Sequence, residues 1–133
     1  MNAVAKGEFA VKLQPLTFEG ADPDAGLGRM SIDKTISGDL TATTKGQMLS
    51  AMSPVKGSAG YVALERVTGT LAGRTGSFVL QHNAFMNRGV PSLSIVVVPD
   101  SGTAGLAGIQ GDFKIEITGG KHWYEFVYSL PES

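Results

Sequence analysis

The chain has 133 residues, 11 basic against 12 acidic, with a net charge of −1 and 42% hydrophobic content. That is the length of one domain (residues 1–133), and the balanced charge offers no electrostatic footprint for nucleic acid or an anionic membrane surface. The absence of cysteine excludes disulfides, thiolate nucleophiles and cysteine-bound metals.

No apolar run approaches the ~20 residues of a membrane span, and the opening MNAVAKGEFAVKL has no secretory core. The expectation is a cytoplasmic protein without a membrane partner. Glycine occurs 18 times. Each costs about 1 kcal/mol inside a helix, so the composition favours strands joined by many turns.

In chain order, residues 7–18 alternate with Phe9, Val11 and Leu13 on one side, and Pro15 is expected to break the ladder. Residues 21–28 (ADPDAGLG) read as a turn-rich loop. Met30, Ile32, Lys34 and Ile36 share one face of the next strand. After Gly38-Asp39 a Thr-rich strand follows, with Thr41, Thr43 and Lys45 solvated and a bulge expected at Lys45-Gly46.

Residues 58–86 form the central hairpin. Tyr61, Ala63, Glu65 and Val67 alternate with Val62, Leu64 and Arg66, while Phe78, Leu80, His82 and Ala84 alternate with Val79, Gln81 and Asn83. A two-residue loop at Ala72-Gly73 puts Glu65 opposite Leu80, Ala63 opposite His82 and Tyr61 opposite Ala84. Glu65 and His82 are then diagonal neighbours on one face, about 7–8 Å apart at the backbone. A three-residue loop would send them to opposite faces.

Pro91 opens the apolar run 92–98, which reads as a strand covered on both faces. Pro99-Asp100-Ser101-Gly102 is turn chemistry, with room for one short helical turn at 104–107. Phe113, Ile115 and Ile117 share a face, Gly119-Gly120 makes a primed hairpin turn, and His122, Tyr124, Phe126 and Tyr128 share a face of the last strand. About eight strands with regular turns and no helical period predict an all-β closed antiparallel barrel. Apolar residues on both faces of several strands predict a homo-oligomer, most simply a dimer.

The stretches DKTISGDL (33–40), GSAGYVALERVTG (57–69), GRTGSFVLQH (73–82), VPDSGTAGLAG (98–108) and KHWYEFVYSL (121–130) resemble, in that order, a bacterial family of unknown function with an allene oxide cyclase-like barrel. The turn GLAGIQG (105–111) is also similar to a glycine turn of allene oxide cyclases and dirigent proteins. The resemblance implies an eight-stranded barrel with a lumen and brings no activity with it.

Glu65 and His82 are the candidate acid–base pair, with burial expected to push the Glu65 carboxyl up. Tyr61, Phe78, Tyr124 and Tyr128 are the candidate ligand-binding residues, the three tyrosines carrying hydroxyls suited to a carbonyl or oxyanion. Against this stands a purely structural buried pair. Only two histidines exist, so no metal or other cofactor is expected. No G-x-G-x-x-G in a nucleotide-binding context, G-x-S-x-G or H-E-x-x-H motif occurs. Three functions remain open: a lumenal binder of a small apolar ligand, a cofactor-free isomerase or cyclase using Glu65 and His82, or a structural protein whose barrel is filled by Phe9, Phe78, Phe113 and Phe126.

Overall fold

Period-two alternation and closely spaced turns produce strands along nearly the whole chain, and these close on themselves. The computed structural model describes every residue except 1, 21, 23, 24 and 133, so part of the 21–28 loop lies outside the described residues. The strands are β1 (Ala3–Leu16), β2 (Leu27–Ile36), β3 (Leu40–Met52), β4 (Ala59–Leu71), β5 (Arg74–Asn87), β6 (Val90–Val97), β7 (Thr103–Ala104), β8 (Gln110–Thr118) and β9 (Lys121–Ser129). Eight of them form a closed antiparallel ring, β1-β2-β3-β4-β5-β6-β8-β9 and back to β1, with β7 outside it. Closure leaves no long free edge. Among the described residues there is no helix, and so none long and apolar enough to cross a membrane.

Several local readings change. The β2–β3 and β3–β4 registers run without interruption through Lys45 and Gly46, so there is no bulge there. Gly46 serves close approach instead: an added Cβ would collide with the Leu64 carbonyl and the Glu65 Cα and Cβ. Pro15 stays in register opposite Met30, and β1 continues to Leu16. Residues 104–107 form tight turns rather than a helix, with Leu106 and Ala107 amides bonded to the Thr103 and Ala104 carbonyls.

The two ends of the barrel differ. At the end holding the β2–β3 and β4–β5 turns, Leu40, Leu71, Phe78, Phe126, Leu106 and Ile109 are all at most 1% exposed. Phe126 packs against Phe78, Phe113 and Tyr128, with ring centroids 5.3–5.6 Å apart. The segment 98–109 supplies Leu106 and Ile109 to this core and is fastened to β5. Ser77 and Thr103 hydroxyls lie 2.7 Å apart, and the Val79 amide donates to Ser101 Oγ at 3.0 Å.

At the opposite end, bounded by residues 53–58, 88–89 and 119–120, the side chains of the inward parity stay open to solvent. Met52, Leu93 and Ile117 are 66%, 48% and 67% exposed. The outward face of β6 (Ser92, Ser94, Val96) is also exposed, so this strand is covered on one face only, contrary to the reading of 92–98.

Candidate functional site

The β4–β5 turn sets the site. Ala72 and Gly73 both take positive φ, 52° and 74°, the two-residue primed turn that matches strand twist. The register that follows pairs Glu65 with Leu80, Ala63 with His82 and Tyr61 with Ala84. Glu65 and His82 therefore share the inner face, and their side chains meet: His82 Nε2 lies 2.8 Å from Glu65 Oε1.

Three adjacent rows of the sheet build the rest. One row runs Met30, Met48, Ala63, His82; the next Ile32, Gly46, Glu65, Leu80; the third Lys34, Thr44, Val67, Phe78. Glu65 lies in the middle row beside Gly46, which has no side chain to obstruct it. Its carboxylate reaches both flanking rows. Oε1 accepts from Lys34 Nζ at 2.9 Å, and Oε2 accepts from the Thr44 hydroxyl at 3.0 Å.

The cluster is sealed. Side chains of Lys34, Glu65 and His82 are 5%, 0% and 4% exposed. The Lys34 ammonium also sits 4.9 Å from the Phe9 ring centre and 5.8 Å from that of Phe113, where ring faces add cation–π attraction. No buried side-chain polar atom among the described residues lacks a partner.

The charge state of Glu65 differs from the expectation. Burial is the largest influence and pushes its carboxyl up. The His82 hydrogen bond and the charge and hydrogen bond of Lys34 together outweigh it and hold the carboxyl down at about 2. Glu65 is thus a carboxylate with three donors at neutral pH, and has no proton to give.

Above the cluster lies a cavity of about 340 Å³, lined by Met48, Met52, Tyr61, Ala84, Met86 and Leu93 among others. Tyr61 joins the two regions. It lines the cavity, and its hydroxyl lies 3.5 Å from His82 Nδ1. Burial and, second, the negative charge of Glu65 both push the Tyr61 hydroxyl up, so it stays protonated at neutral pH.

Of the residues read from sequence, Glu65, His82 and Tyr61 come together. The other three do not join them. Tyr124 lies at another place in the barrel: its hydroxyl donates to the Ser37 carbonyl at 2.7 Å and accepts from the Leu40 amide at 3.0 Å, pinning the β2–β3 turn. Phe78 and Tyr128 belong to the packed core at the closed end. His122 packs against Phe9, with ring centres 5.1 Å apart. Among the described residues no three His, Asp or Glu side chains gather as metal ligands.

Sequence reasoning missed Lys34 and Thr44. The signal for Lys34 was a lone cation on the apolar face of Met30, Ile32 and Ile36. Thr44 shares parity with Leu40 and Ala42, which marked it as inward.

Comparison with known proteins agrees with this architecture. The family described as "Protein of unknown function (DUF3224)" matches residues 5–128. A crystal structure of a DUF3224 protein of unknown function from Shewanella oneidensis MR-1 is 46% identical in sequence. The match covers 100% of both chains, with a TM-score of 0.93. No curated protein matches.

Proposed function

The chain belongs to the DUF3224 family, and we propose that it binds a small apolar molecule in the open mouth of its barrel, with the Tyr61 hydroxyl as the polar anchor. One observation carries this reading. Among the described residues, the large inward-facing apolar side chains that stay exposed lie at one end, directly above a sealed ionic cluster. A cavity of about 340 Å³ is within the range of small-molecule sites, which combine apolar walls with few polar groups. The Phe9, Phe78, Phe113 and Phe126 packing supports a structural role for the lower half of the barrel and leaves the upper half unfilled.

An acid–base role for Glu65 itself fits poorly with a carboxylate already holding three donors. Glu65 is better suited to orienting His82. Any proton chemistry would run through the Tyr61–His82 end of the chain of contacts.

The test is a titration with menthol, decanol and naphthalene, followed by methyl resonances of the protein. Met48, Met52, Met86 and Ala84 should shift together on binding. Leu93→Asp, at a half-exposed position, should weaken binding by at least tenfold while the thermal melt shows the barrel still folded. Shifts confined to other methyls, or none with any of the three compounds at their solubility limits, would refute the reading.

A further inference from the structure

We infer that the anchor in the mouth presents a hydrogen-bond acceptor, so the ligand class is an apolar molecule bearing a hydroxyl donor rather than a bare carbonyl or ether. This rests on the mouth-binding reading and specifies the chemistry of its polar end.

The protons of the cluster are fixed in order from its bottom outward. Glu65 is an acceptor only, and His82 Nε2 lies 2.8 Å from its Oε1, so Nε2 must carry a proton. In neutral imidazole the other nitrogen, Nδ1, is then an acceptor. Nδ1 faces the Tyr61 hydroxyl at 3.5 Å, and a contact between these two atoms needs the tyrosine proton. The hydroxyl proton of Tyr61 is therefore committed inward. What remains for the cavity is the lone-pair side of its oxygen.

A ligand O–H can donate to that oxygen. A ketone or ether cannot, and its oxygen would lose its water without compensation. Donation from the ligand also polarises the Tyr61 hydroxyl toward Nδ1, so the long Tyr61–His82 contact should shorten on binding. The order is ligand O–H to Tyr61, Tyr61 O–H to His82, and His82 N–H to Glu65. Lys34 and Thr44 fix the far end by occupying the remaining carboxylate positions.

The same geometry makes the preference reversible. Protonation of His82 turns Nδ1 into a donor. Tyr61 then accepts inward and its O–H is free to turn toward the cavity, where it suits a carbonyl. The titratable and charged groups facing His82 are Glu65 and Tyr61 from β4, and Lys34 from β2 through Glu65. β6 contributes Ile95 opposite His82, and no charge.

The experiment compares menthol with menthone, which share a carbon skeleton and differ in whether the oxygen donates. Imidazole nitrogen spectra give the tautomer and the pH at which His82 titrates. Above that pH, menthol should bind about fivefold tighter than menthone, the value of one net hydrogen bond. Tyr61→Phe should bring the ratio to one while both still bind. Below that pH the preference should reverse.

Several results would overturn the inference. Equal binding above the His82 titration, a preference that survives Tyr61→Phe, or an imidazole protonated at Nδ1 alone would each refute it while leaving the mouth as a binding site. Failure of both compounds to bind the wild-type protein would overturn the inference, and the mouth reading falls with it when decanol and naphthalene also give no shifts.

Discussion

Replacing Glu65 by Gln keeps the shape of the side chain and removes its charge, which isolates the ionic part of the cluster. A carboxyl held at about 2 against an ordinary 4.5 is worth about 3 kcal/mol at neutral pH, at about 1.4 kcal/mol per pH unit of displacement. Breaking buried pairs elsewhere costs about 3–5 kcal/mol, a comparable figure. Because the folded value is depressed, this stability is fully present above about pH 4.5 and is lost as the pH falls toward 2. Urea unfolding of both proteins should therefore show Glu65→Gln about 3 kcal/mol less stable at neutral pH. The gap should shrink to less than half of that near pH 3, because the unfolded wild-type chain takes up a proton there while the folded carboxyl stays mostly ionised. Other carboxylates titrate in the same range but are common to both proteins and cancel in the difference. A neutral-pH gap under about 1 kcal/mol, or a gap of constant size down to pH 3, would refute the account of Glu65 as a paired, buried anion.

Four further outcomes follow from the same contacts. Lys34→Met combined with Glu65→Gln should cost less than the two changes separately, with a coupling of about 1–3 kcal/mol in a double-mutant cycle; additive costs would mean the two charges do not pair. Tyr124→Phe leaves the Leu40 amide without its partner and should cost about 1–3 kcal/mol in urea, yet leave menthol affinity unchanged, whereas a loss of affinity would return Tyr124 to the site. Ala72→Asn should raise stability by about 1 kcal/mol, since asparagine accepts the positive φ that alanine holds at a cost; a thermal melt that falls would contradict this. Finally, the outward side chains Leu49, Val62, Leu64, Phe85 and Val96 remain exposed in the single chain, which leads us to expect a homo-oligomer, and light scattering that returns 13.9 kDa would count against it.

The barrel and the Glu65–His82 contact were legible because both depend on local information. Alternation assigns a face, and the Ala72-Gly73 turn fixes the parity of one strand against the next. Other parts needed the closed ring. Lys34 and Glu65 lie 31 positions apart on strands separated by β3, and their meeting depends on Gly46 leaving space between them. Tyr124 shows a different limit. Parity correctly put it inside, but height along the barrel axis depends on the β1–β9 register, which sets Tyr124 opposite Gly7 and beside the β2–β3 turn. The sign of the Glu65 displacement failed for the same reason, since burial and His82 were visible in the sequence and the meeting with Lys34 and Thr44 was not.

The position of the ionic layer bears on its role more than its existence does. Buried ion pairs are weak evidence for stability, because well-packed apolar residues of similar volume often do as well or better. In the lower half of this barrel that apolar solution is present, with Phe78, Phe126, Leu40 and Leu71 closing the core. The polar cluster begins where that packing stops and ends at Tyr61, the residue that also lines the mouth. A pair needed only to hold β2, β4 and β5 in register has no reason to continue through His82 to a half-buried hydroxyl. Continuation to the cavity is what a polar anchor requires: its outer atom meets the ligand, and its inner partners hold that atom in one protonation state.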